Sequence, residues 1–247
     1  MGALLLEYLC AQRTENGTMP KDPICVKTIV TTDLVDAIAK EYGVGVINVL
    51  TGFKFIGEQI GFLEKKGEEN RYVFGFEESY GYLAGTYVRD KDAVVASMLI
   101  VEMAAYYRTK GITMIQARDA LYEKYGMFLH SQQSFQFEGE SGMLKMQQIM
   151  DQLRNDPPKT IGGLPVTNIA DYEQSISTCV ETGAVTNLTL PKSNVLAFTL
   201  TDGASVVIRP SGTEPKIKAY YTTTGKDRAS AAALEAKLQE DFSGLLQ

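Results

Sequence analysis

The residues best suited to chemistry lie in Arg209-Pro-Ser-Gly-Thr-Glu-Pro-Lys216, between two stretches of alternating apolar side chains. Gly212 lets the backbone turn where a Cβ would clash, and Pro210 and Pro215 stiffen the ends. The Ser211 and Thr213 hydroxyls, the backbone N–H groups and the Arg209 fork are then left to converge. A phosphate monoester needs such a site, with donors on every side and a planar guanidinium that holds two oxygens at once. Lys216 and Lys218 add positive charge. The same residues also make an ordinary hairpin loop with a solvated basic face.

A second constellation is Phe74-Gly-Phe-Glu-Glu-Ser-Tyr-Gly81. In an extended chain Glu77 and Ser79 project to one side and Glu78 to the other. A carboxylate beside a hydroxyl suits the vicinal hydroxyls of a sugar, and the competing reading is a polar turn at a strand end. A third is Arg89-Asp-Lys-Asp92, ahead of an apolar run. Asp90 or Asp92 makes a helix N-cap there. Lys91 is misplaced for the helix dipole unless an anion docks nearby or the lysine moves protons; a solvated lysine is the plain alternative. Asp90 and Asp92 lack the further partners a metal site needs, so no metal ligand is assigned. Thr51-Gly52-Phe53-Lys54 turns from a strand end into a helix, where small residues let an anion approach the N-terminus.

The elements that must position these residues alternate through the first part of the chain. Residues 26–31 and 44–50 read as strands, with a helix between them that starts at Asp33 and stops at Gly43. Phe53, Ile56, Ile60 and Leu63 recur at helical spacing, 71–76 is a third strand, and 93–107 reads as a buried helix. A shorter helix around 113–125 stops before Gly126. This order predicts an α/β domain over residues 1–128. The second part, residues 129–247, reads as a smaller α+β domain. It has strands at 134–137, 195–200, 205–209 and 216–221, with helices over 141–153 and 227–246. An antiparallel sheet covered by two helices is the expected arrangement. The opening Gly2-Ala-Leu-Leu-Leu run resembles the interior of a packed helix, as if the chain had been cut from something longer.

Composition removes several function classes. The 247 residues are 45% hydrophobic and 22% charged, the balance of a globular protein with a core. The net charge of -6 divides evenly, with 14 Lys/Arg against 17 Asp/Glu in residues 1–130. No basic half exists to neutralise a nucleic acid. Cys10, Cys25 and Cys179 form neither a disulfide framework nor a zinc motif, and read as reduced thiols of a cytoplasmic protein. His130 is the one histidine, without a nucleophile elbow to accompany it. The most apolar run, 93–107, falls short of the ~20 residues needed to span a bilayer, and no membrane role is expected.

Taken in order, Thr51-Gly-Phe-Lys, Gly75-Phe-Glu-Glu-Ser-Tyr-Gly, Arg89-Asp-Lys-Asp and Arg209-Pro-Ser-Gly-Thr-Glu-Pro-Lys resemble the motifs of the α-D-phosphohexomutases, specifically their third and fourth domains. The resemblance implies an isomerase that moves a phosphoryl group between O1 and O6 of a hexose through a phosphoserine and a bisphosphorylated intermediate. It implies that Glu77 and Ser79 hold sugar hydroxyls. Arg209, Ser211, Gly212, Thr213 and Lys216 would grip the phosphate that is not transferred. Lys91 would assist proton transfer, and Thr51 and Gly52 would line the cleft. The family's Ser-His-Asn-Pro loop and its magnesium-binding aspartates are not in this sequence. The chain alone is therefore expected to be inactive and to need an N-terminal half as its partner. Tyr80-Gly81 stands where mannose-accepting relatives often carry Gly-His, which favours glucose phosphates. Mannose or pentose phosphates are the alternatives, as is a stand-alone phosphosugar-binding module.

Overall fold

The computed structural model describes residues 1–137, 139–212 and 214–246, and for Glu140 the backbone alone. It separates into two units, Met1–Gly126 and Met127–Gln247.

In the first unit, α1 (Gly2–Glu15) precedes β1 (Ile24–Thr28), α2 (Leu34–Glu41), β2 (Gly45–Val49), α3 (Phe53–Glu64), β3 (Tyr72–Glu77), β4 (Gly81–Leu83), α4 (Ala93–Thr109) and α5 (Met114–Tyr125). The strands lie in the order β2-β1-β3-β4. β1 runs parallel to β2 and β3, and β4 returns antiparallel to β3. Parallel neighbours need crossover helices, and α2 and the helical patterns around it supply them. Ile24 and Val26 of β1 pack with Phe53, Ile56, Ile60 and Leu63 of α3 in one apolar cluster. Cys25 lies between them and points to the other side, near Cys10 of α1. Burial pushes both thiols up, Cys10 to about 12.

Two expectations change here. Asp33 sits at the N-cap of α2 but makes no side-chain cap bond; its carboxylate is taken by Lys27, 2.8 Å away. α4 is not a buried helix: of its residues only Ala96 and Met103 are buried, while Val94, Met98 and Val101 are exposed. An all-round apolar helix buries just the stripe that meets neighbours, here α1, β4 and α5.

The second unit contains β5 (Met127–Gln136), α6 (Glu140–Asn155), β6 (Thr160–Ile161), β7 (Leu164–Asp171), β8 (Ile176–Cys179), β9 (Val185–Asn187), β10 (Leu196–Leu200), β11 (Ser205–Pro210), β12 (Lys216–Gly225) and α7 (Arg228–Leu245). The main path is β5-β12-β11-β10-β7-β8-β9, with β6 paired to β7 and every pairing antiparallel. The sheet has eight strands, larger than the alternation in the sequence predicts. α6 and α7 cover it through Met146, Ile149, Met150 and Leu153 and through Leu238 and Phe242. Asp227 caps α7 by accepting from Ser230 N at 2.7 Å. Arg154, at the end of α6, is tied to Asp171 (2.9 Å) and Glu173 (2.7 Å), which fixes that helix to the end of β7.

Candidate functional site

In the first unit the candidate residues gather at the carboxyl ends of the parallel strands, where open α/β sheets bind ligands. Glu77 ends β3, and residues 78–80 form a turn into β4, with Glu77 paired to Gly81. The extended conformation that would align Ser79 with Glu77 is therefore interrupted. A three-residue hairpin forces the chain to reverse, with Tyr80 at φ 57 and Ser79 exposed at the tip. Glu77 and Glu78 do point apart. The Glu77 carboxylate lies 3.8 Å from the Lys91 ammonium, whereas Glu78 Oε2 accepts from the buried Thr28 hydroxyl at 3.0 Å.

Lys91 stands in the loop before α4. Its ammonium is 3.2 Å from Asp90 and 5.4 Å from the centre of the Phe53 ring, a cation–π distance. Asp92 is the helix N-cap, accepting from Val94 N at 2.9 Å and Val95 N at 3.0 Å. The lysine thus has two carboxylates to offset the unfavourable dipole. A Cβ on Gly81 would lie 2.9 Å from Glu77 Cγ and 3.0 Å from a Phe53 ring carbon, so a glycine is needed for Glu77 to reach Lys91. Gly52, with Thr51 before it, caps α3 at φ 122, a conformation that side chains rarely adopt.

Behind this surface lies a polar cluster that the motifs did not indicate. Lys27 is 2% exposed, and its ammonium is 2.8 Å from both Asp33 and Asp36. Burial pulls its pKa down, but the two aspartates outweigh that and leave it raised. Thr28 Oγ1 and Thr31 Oγ1 are 2.9 Å apart. Burial pushes the Glu78 carboxyl above its ordinary value, despite hydrogen bonds from Thr31 and Thr28 that pull the other way. The available signal was a lysine inside a β-branched strand, followed by Asp33 and Asp36 at its end.

In the second unit Arg209 and Pro210 end β11, and the loop returns directly into β12, with Ser211 N donating to Lys216 O at 2.8 Å. Register places Arg209 opposite Lys218, and Pro210 opposite Ile217. Ile208, Ile217 and Ala219 belong to the helix-covered core. Arg209, Lys216 and Lys218 therefore lie on the other face. Lys216 is paired with Glu214. Lys218 is held below the usual lysine range by burial and then by the charges of Arg209 and Lys216. Pro210, Ser211 and exposed Gly212 border a groove of about 320 Å³ whose far wall includes Gln147, Asp151 and Asn194. Thr213 lies outside the described residues. Among the described residues no three His, Cys, Asp or Glu side chains gather in a way that would hold a metal ion.

Two domain descriptions match this chain. Residues 1–125 match "Phosphoglucomutase/phosphomannomutase, alpha/beta/alpha domain III", and residues 162–240 match the C-terminal domain of the same family. The chain belongs to the phosphoglucomutase/phosphomannomutase family. Its order of domains is that of the family's C-terminal half. Phosphoglucomutase of Staphylococcus saprophyticus is 37% identical over 222 residues, covering 90% of this chain and 39% of that protein. Phosphoglucomutase of Staphylococcus epidermidis is 38% identical over the same shares. The chain thus spans about two-fifths of the length of these relatives. Among solved structures, the open form of pp63/parafusin from Paramecium superposes with a TM-score of 0.66 at 19% identity, covering 99% of this chain and 41% of that one. A phosphoglucomutase/phosphomannomutase family protein from Burkholderia thailandensis gives 0.56 at 14% identity, covering 99% and 41%. At these identities the structures speak to fold alone, and they agree on it.

Proposed function

We propose that this chain is the substrate-holding part of a phosphoglucomutase that interconverts glucose 1-phosphate and glucose 6-phosphate. The observation that carries the reading is the crowding of Arg209, Lys216 and Lys218 at one hairpin, with register setting Arg209 against Lys218. Burial and the charges of Arg209 and Lys216 hold Lys218 below the usual lysine range, and a phosphate dianion would offset those effects while accepting from the Arg209 fork. Ser211, Gly212 and Thr213 complete the grip with hydroxyl and backbone donors. Glu77 and Ser79 take the sugar hydroxyls, Thr51 and Gly52 line the approach, and Lys91 assists proton transfer.

The phosphorylated serine belongs, on this reading, to an N-terminal half of the same enzyme, which is the chain's essential partner. Magnesium belongs there too, because the resemblance puts the metal-binding aspartates in that half. No helix among the described residues is long and apolar enough to cross a membrane; the cytoplasmic placement rests instead on reading Cys10, Cys25 and Cys179 as reduced thiols. The identities of 37% and 38% to relatives named phosphoglucomutase favour glucose phosphates over mannose or pentose phosphates.

The test is a calorimetric titration of the 247-residue chain with glucose 6-phosphate, glucose 1-phosphate and free glucose. Phosphate-dependent binding that Arg209→Ala and Glu77→Ala each weaken supports the assignment. Binding of free glucose as strong as that of the phosphates would sink it. Assay of a full-length protein against glucose, mannose and pentose phosphates then separates the substrates.

A further inference from the structure

We infer that Glu78 is a positioning residue, anchoring the 77–81 hairpin to the β1–α2 connection through the Thr28 and Thr31 hydroxyls and so fixing where Glu77 stands. The inference rests on the reading of Glu77 as a sugar-contacting carboxylate, and it extends that reading to a neighbour with no access to substrate. The hairpin needs such an anchor. Its turn is three residues long, Tyr80 occupies the left-handed region at φ 57, and the Tyr80 ring is 84% exposed and packs on little. A non-glycine residue in that conformation is held by its surroundings.

Two fixed points are available. One is the pairing of Glu77 with Gly81. The other is the 3.0 Å bond from Thr28 Oγ1 to Glu78 Oε2. Thr28 is fully buried at the end of β1, and its hydroxyl is 2.9 Å from that of Thr31, itself 4% exposed. Thr31 N donates to Thr28 O at 2.9 Å, and Thr31 O accepts from Lys27 Nζ at 3.4 Å. Lys27 in turn binds Asp33 and Asp36 at the start of α2. The hairpin is thereby joined, bond by bond, to the rigid start of a helix. Glu78 is held against Thr28 while the preceding Glu77, the last residue of β3, stands 3.8 Å from Lys91, so an anchor on Glu78 fixes the chain direction from which Glu77 projects.

The test needs no ligand and no turnover. In the 247-residue chain, amide hydrogen exchange at Gly81 and Leu83 is read by NMR together with the Lys91 side-chain resonances. Glu78→Ala is expected to speed exchange at these two amides about tenfold and to shift Lys91, while leaving the second unit unchanged. Glu78→Gln, which can still accept from Thr28, is expected to restore both. Thr28→Val removes the same bond while keeping the shape, and it stands in for Glu78→Ala if that variant unfolds the first unit. Unchanged Gly81, Leu83 and Lys91 signals in Glu78→Ala or Thr28→Val would overturn the inference, as would a Glu78→Gln protein as disturbed as Glu78→Ala. The underlying reading fails separately, when Glu77→Gln binds glucose 6-phosphate as tightly as the native chain does.

Discussion

The hairpin at Glu77–Gly81 and the hairpin at Pro210–Lys216 both join antiparallel strands, yet their electrostatics are opposite. In the first unit Lys91 meets Glu77 and Asp90 and lies over the Phe53 ring. In the second, Lys216 has Glu214, and register sets Arg209 opposite Lys218 across the ladder, where the arginine charge helps hold Lys218 below the usual lysine range. A balanced site suits neutral hydroxyls, which exchange hydrogen bonds without changing net charge. A site with surplus positive charge suits phosphate. The proposed division of labour between the units rests on that difference at two short loops.

The comparison breaks most readily at Arg209. Arg209→Ala should remove a charged, two-pronged contact worth about 1.5–3 kcal/mol, weakening glucose 6-phosphate binding by about ten- to a hundredfold. Inorganic phosphate should weaken in parallel, because the contact is to the phosphate alone. Calorimetry that finds phosphate unaffected would move the anion site away from this hairpin.

Gly81→Ala tests the other half. The new Cβ would crowd Glu77 Cγ and the Phe53 ring, so the Glu77 carboxylate must leave Lys91. Overpacking of this kind costs about 1–3 kcal/mol. The expected result is a lower melting temperature for the first unit and weaker discrimination among sugars, with inorganic phosphate binding unchanged. A matching loss of phosphate affinity would mean that the two loops do not divide the ligand.

A smaller effect sharpens the charge argument. Lys218 is depressed by burial and by Arg209 and Lys216, so bound phosphate should raise its titration midpoint, read by NMR of the ammonium. High salt should reduce that shift, since exposed charges are screened beyond about 8–10 Å near physiological ionic strength.

Much of this was legible in the sequence for a physical reason. The helices α3 and α7 declare themselves because Phe53, Ile56, Ile60 and Leu63, and Leu238 and Phe242, repeat at helical spacing and are buried. β7 to β9 did not. Val185–Asn187 is exposed throughout, and Ile176–Cys179 is half-buried at every position, so neither carries the alternation that marks a one-sided strand. The Arg209 and Glu77 loops stood out because their residue types are unusual in sequence. The Lys27 cluster stayed hidden because Asp33 reads as a helix cap and only folding brings Lys27 to it. Lys91 and Glu77 are likewise 14 positions apart and meet only through the hairpin and the loop before α4.

The finest distinction concerns pH. The native Glu78 carboxyl is raised above the ordinary glutamate value of 4.5, chiefly by burial. The folded state therefore holds that proton more tightly than the unfolded chain does. The resulting stability is fully present below pH 4.5 and is lost as pH rises through the native value. Glu78→Gln cannot titrate, so the melting temperature of the native first unit should fall relative to that variant as pH climbs from the ordinary glutamate value of 4.5 through the raised native one. A gap that is flat with pH for Glu78→Gln would mean that folding does not desolvate this carboxyl, and the contrast between a buried anchor and an open anion site would fail at its first term.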